Sequence, residues 1–370
     1  MLDVVVVGAG PVGLAAAAGL AARGATVDVV ERRTRRWTTS RAAAVHAGTL
    51  AVLDRLGVAD DLVAAGTPLR TFDVVDPGRR LYRVDFATLT GVRPYALAVP
   101  QWRTEQLLAR RVEDLGVAVS SGETVQAVEP GLVRTDQREL RCRLVVGADG
   151  VHSTVRGALG ITRTGADRTD RYVLADVHLD PRPPTDRVAL HVAGPGGLVV
   201  APLPDGVTRL IAAVSRLPDE VSLPVLQGLV DGRAPGLASV LDVVWTSTFE
   251  VSRRLATRFG TGTAVLLGDA AHEHSPSGGQ GLNLGVRDAA SLVDPALAFL
   301  ASGRPLEDWA RSRRSHAAKV LRFTRALTLL ETGSASTRRL LDDLVHAARG
   351  SRRIHAQLVR RLAGVDDPAL

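Results

Sequence analysis

The sequence predicts an α/β chain: a Rossmann-like domain (βαβ, with a G-x-G-x-x-G turn), an inserted, mostly antiparallel β-sheet domain, and a helical C-terminal tail. Three observations predict it. A short apolar run, a glycine-rich turn, an Ala/Leu-rich stretch and a second apolar run follow one another within the first 31 residues. Short segments, β-branched or alternating and broken by Pro and Gly, crowd residues 170–215. Beyond residue 300 the patterns are helical and basic, with 14 basic against 7 acidic side chains in residues 301–370.

The elements follow in order. Leu2–Val7 is an apolar run ending in glycine, the mark of a strand buried on both faces. Residues 11–23 are mostly strong helix formers, and Gly24 stops the helix. Residues 26–31 (TVDVVE) form a second strand. Helices are expected over 47–56 and 104–115. Residues 140–147 make another apolar strand, which leads through Asp149-Gly150 into a short helix capped by Ser153. Segments 172–179, 187–192, 197–202 and 208–215 read as an antiparallel sheet, with 71–76 and 81–86 as a pair that joins it. Residues 263–267 are a last buried strand before a glycine-rich turn and the helical tail. The nucleotide-binding domain is therefore expected to be discontinuous, over 1–70, 98–165 and 260–300. Residues 71–97 and 166–259 form the substrate-binding sheet domain, and 301–370 the C-terminal helical segment. A substrate cleft is expected at the junction.

Composition sets the outer bounds. A chain of 370 residues exceeds what one compact core usually holds, so two domains sharing a cleft are expected. With 45% hydrophobic and 23% charged residues, disorder, collagen-like repeats and a coiled coil are excluded. The single cysteine, Cys142, rules out an intrachain disulfide and any multi-cysteine metal site, and is most simply a core residue. There is no charged-then-apolar leader and no uninterrupted apolar run of about eighteen residues, so a soluble, cytoplasmic protein is expected.

The pI near 10.6 invites a nucleic-acid reading. Of the 46 basic residues one, Lys319, is lysine, a skew better explained by GC-rich codons than by phosphate recognition. Residues 1–300 hold 32 residues of each sign, so the tail carries the whole +7. Its arginines, among them Arg311, Arg313, Arg352 and Arg361, lack the interleaved aromatics of single-strand binding. No nucleic-acid partner is expected; a solvated helix face comes first, and weak attraction of an anionic cofactor or surface second.

Three segments carry chemistry. Gly8-Ala9-Gly10-Pro11-Val12-Gly13 fits G-x-G-x-x-G: Gly8 for the tight turn, Gly10 for approach to a pyrophosphate, Gly13 for close helix–strand packing. The helix N-terminus then holds the phosphates. Glu31 ends the second strand 18 residues after Gly13, beside Arg32, where a carboxylate accepts from ribose hydroxyls and repels a 2′-phosphate. FAD or NAD, and not NADP, is the dinucleotide that fits. The second segment runs Leu267-Gly268-Asp269-Ala270-Ala271-His272, then Pro276-Ser277-Gly278-Gly279-Gln280-Gly281-Leu282-Asn283. A strand delivers Asp269 to the sheet edge, where it can bind polyol hydroxyls, and a glycine turn opens a helix near Gly281. Donors aimed from that helix suit the negative charge of a reduced flavin, so the segment decides for FAD. The third, Val146-Gly147-Ala148-Asp149-Gly150-Val151-His152-Ser153-Thr154-Val155-Arg156, supplies a turn, a capped helix and a cation.

In this order and spacing the three segments resemble the FAD-dependent aromatic hydroxylases of the para-hydroxybenzoate hydroxylase type, the group A flavoprotein monooxygenases, over most of residues 1–290. Ser40-Arg41-Ala42 and Pro100-Gln101-Trp102-Arg103-Thr104-Glu105-Gln106-Leu107-Leu108 are similar to the polyketide and antibiotic-tailoring branch. The resemblance implies that Gly8, Gly10, Gly13 and Glu31 hold the adenosine diphosphate half and that Arg41 and Gln101 contact the ribityl–pyrophosphate region. It implies Asp269 on the ribityl chain, and Asp149 and Arg156 near the pyrophosphate, a region the family links to the reduced nicotinamide. Pro276, Gly279, Gln280, Gly281 and Asn283 would border the isoalloxazine. Many polyketide hydroxylases run about a third longer and end in a thioredoxin-like domain, which has no counterpart here. The Glu273-His274-Ser275 stretch before Pro276 is more polar than the family pattern.

The activity implied is a monooxygenase: NADH or NADPH, bound transiently, reduces FAD, O2 is captured as a C4a-hydroperoxide, and oxygen passes to a phenolic or polyketide-like ring. One glycine fingerprint, not two, agrees with a nicotinamide that lacks its own fold. His46 and His274 are the candidate bases, with Pro276 at the flavin face. His272 is expected to partner the turn. His272 and His274 make no common zinc spacing, so no metal is expected. Trp245 and Phe249 are candidates for the substrate pocket or the core. Baeyer–Villiger oxidation, epoxidation, double-bond reduction, and a catalytically inactive flavin-binding partner remain open. A monomer or homodimer is expected.

Overall fold

The computed structural model describes residues 1–35, 39, 42–76, 79–193, 196–331, 346, 349–368 and 370. Its first sheet is parallel where it matters. Strands Ala264–Leu266, Glu139–Gly147, Leu2–Val7, Val27–Glu31 and Ala118–Ser121 lie side by side in that order, all parallel. Val4, Val5 and Val6 are fully buried, which is why the first strand is apolar at every position instead of alternating. Val6 pairs with Val29 on one side and Val146 on the other, and Val146 with Val265. This register brings the C-terminal ends of four distant segments, and hence Gly8, Glu31, Asp149 and Asp269, to one edge. A meander of Val125–Glu129, Leu132–Thr135 and Glu139–Gly147 extends the sheet.

Helix Pro11–Ala21 is nearly all Ala, Leu and Gly and buried at all but Val12 and Ala21, because it is sandwiched between the sheet and helix Gln280–Ser302. A Cβ on Gly19 would lie 2.8 Å from Val293, so the two helices cross closely.

The second sheet has eight strands, antiparallel apart from the pairing of Thr71–Asp76 with Arg187–His191. The expected pair at 71–86 does join it, as Thr71–Asp76 and Arg79–Asp85. Its spine is a pair of 18-residue strands, Arg163–Asp180 and Ser239–Ala256. The sequence pattern marked only 172–179 of the first strand and none of the second. The reason is physical: Ser239–Ala256 is half-exposed along most of its length and slips register at three points against its partner, so no clean period of two survives. Helix Leu223–Arg233, interrupted by Gly228 and Gly232, was also not foreseen. A small third sheet of Ala44–Val45, Ala96–Ala98 and Thr67–Leu69 roofs the junction.

The tail does not stand apart. Helices Glu307–Glu331 and Arg352–Ala363 fold back so that Asp367, fully buried, meets Arg287 at 2.9 Å and Arg313 at 2.5 Å. Arg313, one of the tail arginines assigned to a solvated face, is only 3% exposed; buried carboxylates outweigh its preference for water. Among the described residues no helix is long and apolar enough to cross a membrane.

Candidate cofactor and substrate cleft

One cavity of about 1210 Å³ runs from the parallel-sheet edge to the face of the antiparallel sheet. At its first end, Gly8 has φ +105° and a Cβ there would sit 2.4 Å from Ala148 O, so the strand ends of two segments touch where only glycine fits. A Cβ on Gly13 would lie 1.9 Å from Gly8 O, whereas a Cβ on Gly10 would meet nothing within 4 Å. Gly13 is thus a packing glycine, and Gly10 borders open space at a helix N-terminus, with Pro11 and Val12 beside it on the wall. A helix N-terminus bordering open space in this way can accept an anion.

Glu31 lies at the end of its strand, 8% exposed. It accepts from the Ala9 N–H at 2.8 Å, and from the Arg33 N–H and guanidinium, each at 2.9 Å. Burial opposes its ionisation, but these bonds outweigh that and hold its carboxyl below the usual range. Arg33 as fixer of Glu31 was not read from the sequence. Arg32 is on the cavity wall, as is Gln101, which opens helix Gln101–Asp114 and donates to Glu105 at 2.7 Å. Ser40 and Arg41 lie outside the described residues, as does Trp37.

The second glycine segment forms the opposite lip. Gly268, Asp269, Pro276, Gly279, Gly281 and Leu282 all line the cavity. Asp269 is open to the cavity but enclosed by protein on its other sides, and this desolvation raises its pKa. Gly278 and Gly279, at φ +75° and +62°, turn the chain into helix Gln280–Ser302 in a conformation costly for other residues. Gln280 and Asn283 sit behind the wall. Gln280 donates to Leu362 O at 3.3 Å. Asn283 donates to Ala44 O and Gly279 O and accepts from the His46 N–H, tying the roof to the turn. Neither side chain is among the described residues that line the cavity.

Asp149 lines the cavity, yet its carboxylate caps the short helix Thr154–Ala158, accepting from Ser153 Oγ at 2.5 Å and the Val155 N–H at 3.1 Å. Arg156, expected near the pyrophosphate, is off the wall. It is 9% exposed and donates to Ala270 O at 3.0 Å and Val151 O at 2.9 Å, clamping the third segment to the second. Two residues of the polar stretch 273–275 are satisfied internally: Glu273 pairs with Arg163 at 3.2 Å, and Ser275 Oγ meets Tyr172 Oη and Ser277 Oγ, each at 2.8 Å. His272 meets Asp288 at 2.7 Å, both fully buried, with Arg313 on the carboxylate's other side.

Both candidate bases border the cavity. Burial, and then the Arg287 charge, depress His46 to about 3. Burial, and then His272, depress His274 to about 4. His274 Nδ1 lies 3.0 Å from Ser275 O, which assigns the hydrogen to Nδ1 and leaves Nε2, buried without a partner among the described residues, as an acceptor.

The far chamber is aromatic and apolar. Tyr172 stacks on Phe249 with ring centroids 5.4 Å apart, and Phe72, Phe86 and Trp245 share the wall. Arg209, 2% exposed, is held by Asp176 through bonds of 2.7 and 2.8 Å and lies 5.8 Å from the Trp245 ring. Trp245 and Phe249 were candidates from the sequence; Tyr172, Arg209 and Asp176 were not, since nothing in the chain foretells a partner 33 residues away on another strand.

A model of the FAD binding domain family matches residues 1–324. The chain is 36% identical over 347 residues to a 6-methylpretetramide 4-monooxygenase of Streptomyces rimosus, covering 89% of this chain and 62% of that protein, and so spans less than two thirds of that relative. The p-nitrophenol 4-monooxygenase PnpA from Pseudomonas putida DLL-E4 superposes with a TM-score of 0.86 at 26% identity, over 97% of this chain and 96% of that one. The OxyS anhydrotetracycline hydroxylase from Streptomyces rimosus superposes at 0.80 with 32% identity, over 99% of this chain and 76% of that one.

Proposed function

Because the chain belongs to the family of flavoproteins with this FAD binding domain, whose relatives include aromatic-ring monooxygenases, we propose that it hydroxylates an aromatic small molecule with FAD, O2 and NADH or NADPH. The observation that carries the proposal is the single continuous cavity. At about 1210 Å³ it exceeds the roughly 300–1,000 Å³ of a pocket for one ligand, and its two ends differ in chemistry. One end is a glycine cradle at a helix N-terminus with carboxylates in reach; the other is a chamber of rings.

FAD, when bound, accepts hydride from the nicotinamide and activates O2. The residues of the chain do the rest. Gly10 and the N-terminus of helix Pro11–Ala21 would hold the pyrophosphate, Glu31 the adenosine ribose and Asp269 the ribityl chain. The free N–H groups at the start of helix Gln280–Ser302, where Gly281 and Leu282 line the cavity, would stabilise negative charge on the flavin. Tyr172, locked by Ser275 and stacked on Phe249, fixes the plane of an aromatic substrate. The antiparallel sheet closes the chamber against water. His274 is neutral at pH 7 and offers Nε2 as an acceptor for a phenolic proton; its depressed pKa makes it a hydrogen-bond partner more than a strong base. The substrate class we propose is a multi-ring phenolic compound; the names of similar proteins specify 6-methylpretetramide, anhydrotetracycline and p-nitrophenol for those proteins.

The test is direct. Purified protein should show the two visible bands of a bound flavin, and a phenolic substrate should raise NAD(P)H consumption at least tenfold and incorporate 18O from O2 into product. A colourless protein that takes up no FAD would overturn the cofactor assignment. Consumption without 18O incorporation would place the chain among reductases, and no substrate stimulation would make it a flavin-binding partner.

A further inference from the structure

The basic tail, which the flavin chemistry leaves without a role, builds a second cavity. It encloses about 620 Å³ between strand Arg79–Asp85, the turn that follows, and helix Arg352–Ala363. Five arginines line it (Arg80, Arg83, Arg349, Arg352 and Arg360), and among the described residues no carboxylate does. Arg83 is neutralised by a bidentate bond to Asp73 at 2.7 and 2.8 Å. Arg349 and Arg360 reach only backbone carbonyls, of Leu81 and Val365. Arg80 and Arg352 have no ion-pair or hydrogen-bond partner among the described residues. The floor is apolar, from buried Leu89 and Val359, and one wall is the pair Tyr82–His355, whose Oη and Nδ1 lie 2.6 Å apart. The first turn of the 12-residue helix borders the same space, and its dipole adds positive potential.

We propose that this cavity binds a phosphate-bearing anion with an apolar or aromatic body, of the size of a nucleotide. The charge count decides for phosphate. Among the described residues, four guanidinium groups not matched by any carboxylate surround one concave space, and a single carboxylate ligand would leave most of that charge unanswered. A di- or polyphosphate answers it, and the planar forks of arginine suit phosphate oxygens. The enclosed volume falls within the small-molecule range and suits neither a nucleic-acid strand nor a membrane surface. Helix Arg352–Ala363 also carries Leu362 into the wall of the flavin cavity, so the two cavities flank one helix. This inference does not depend on the hydroxylase reading.

The experiment uses protein saturated with FAD, so that the first phosphate cradle is filled, and inorganic pyrophosphate titrated by calorimetry at low salt. Saturable binding of one equivalent is expected. The double variant R80S/R352S, two exposed arginines, should weaken it about tenfold or more with unchanged FAD content. R325S/R353S removes the same charge from exposed positions outside the cavity and should leave the affinity within about twofold. No saturable binding, equal binding by R80S/R352S, or equal loss in both double variants would overturn the proposal. Competition by NADPH would identify the reductant as the occupant. Binding that NADPH leaves untouched would assign the cavity to a different phosphate compound.

Discussion

Exchanging Gly10 and Gly13 in turn for alanine separates the glycine that serves the ligand from the one that serves the fold. At Gly13 the new methyl would sit 1.9 Å from the Gly8 carbonyl oxygen, a backbone atom that moves only with its strand. Overpacking costs about 1–3 kcal/mol even against side chains, so Gly13→Ala should fall at or above the top of that range. At Gly10 the backbone is extended, φ −72° and ψ 175°, and the methyl meets nothing within 4 Å. Loss of unfolded-state freedom stabilises such a change by about 0.4–1 kcal/mol. Alanine is a poorer N-cap by a similar amount, so the apoprotein should stay within about 1 kcal/mol of wild type. That methyl occupies the space where a pyrophosphate approaches the helix. Losing one charge-assisted bond there, at about 1.5–3 kcal/mol, weakens FAD roughly ten- to hundredfold. Thermal melts of the deflavinated proteins and fluorescence titration with FAD read the two quantities apart. Gly10→Ala apoprotein melting as low as Gly13→Ala, or binding FAD with wild-type affinity, would refute the division of labour.

Asp269→Ala should purify largely colourless, read from the ratio of visible to ultraviolet absorbance; stoichiometric flavin would mean the ribityl anchor lies elsewhere. Arg156→Met leaves Ala270 O and Val151 O without their charged donor and should cost about 2–4 kcal/mol in chemical denaturation. Burial alone would raise the carboxyls of Asp288 and Asp367, but Arg313 with His272 for the first, and His316, Arg313 and Arg287 for the second, hold both below their ordinary values. Their stabilisation is complete above about pH 5 and is lost as pH falls through 4 and below. Urea midpoints should thus drop steeply from pH 5 to pH 3, and Asp367→Asn should flatten that slope; parallel slopes would show that the network does not carry the acid sensitivity.

Much was written in the sequence because it depends on local chemistry. Glycines at 8, 10 and 13 between an apolar strand and an alanine helix can mean little else, and Asp269 follows its strand as Glu31 follows its own. Those signals reside in consecutive residues whose backbone needs are specific, so the FAD binding fold and the two glycine turns that border its cleft were legible. The aromatic chamber was legible only in Trp245 and Phe249.

Tertiary structure alone decided the remainder, wherever a residue's role depends on a partner far along the chain. Arg156 carries a motif's name but spends its charge on Ala270 O, 114 residues away. Strand Ser239–Ala256 has no pattern of its own and exists through its ladder with Arg163–Asp180. The tail's net charge was plain from composition. That Arg313 would be buried against Asp288 and Asp367 while Arg80 and Arg352 would converge on an open cavity was not. Charge belongs to the residue, but its environment is set by packing, and packing is not a local property of the chain.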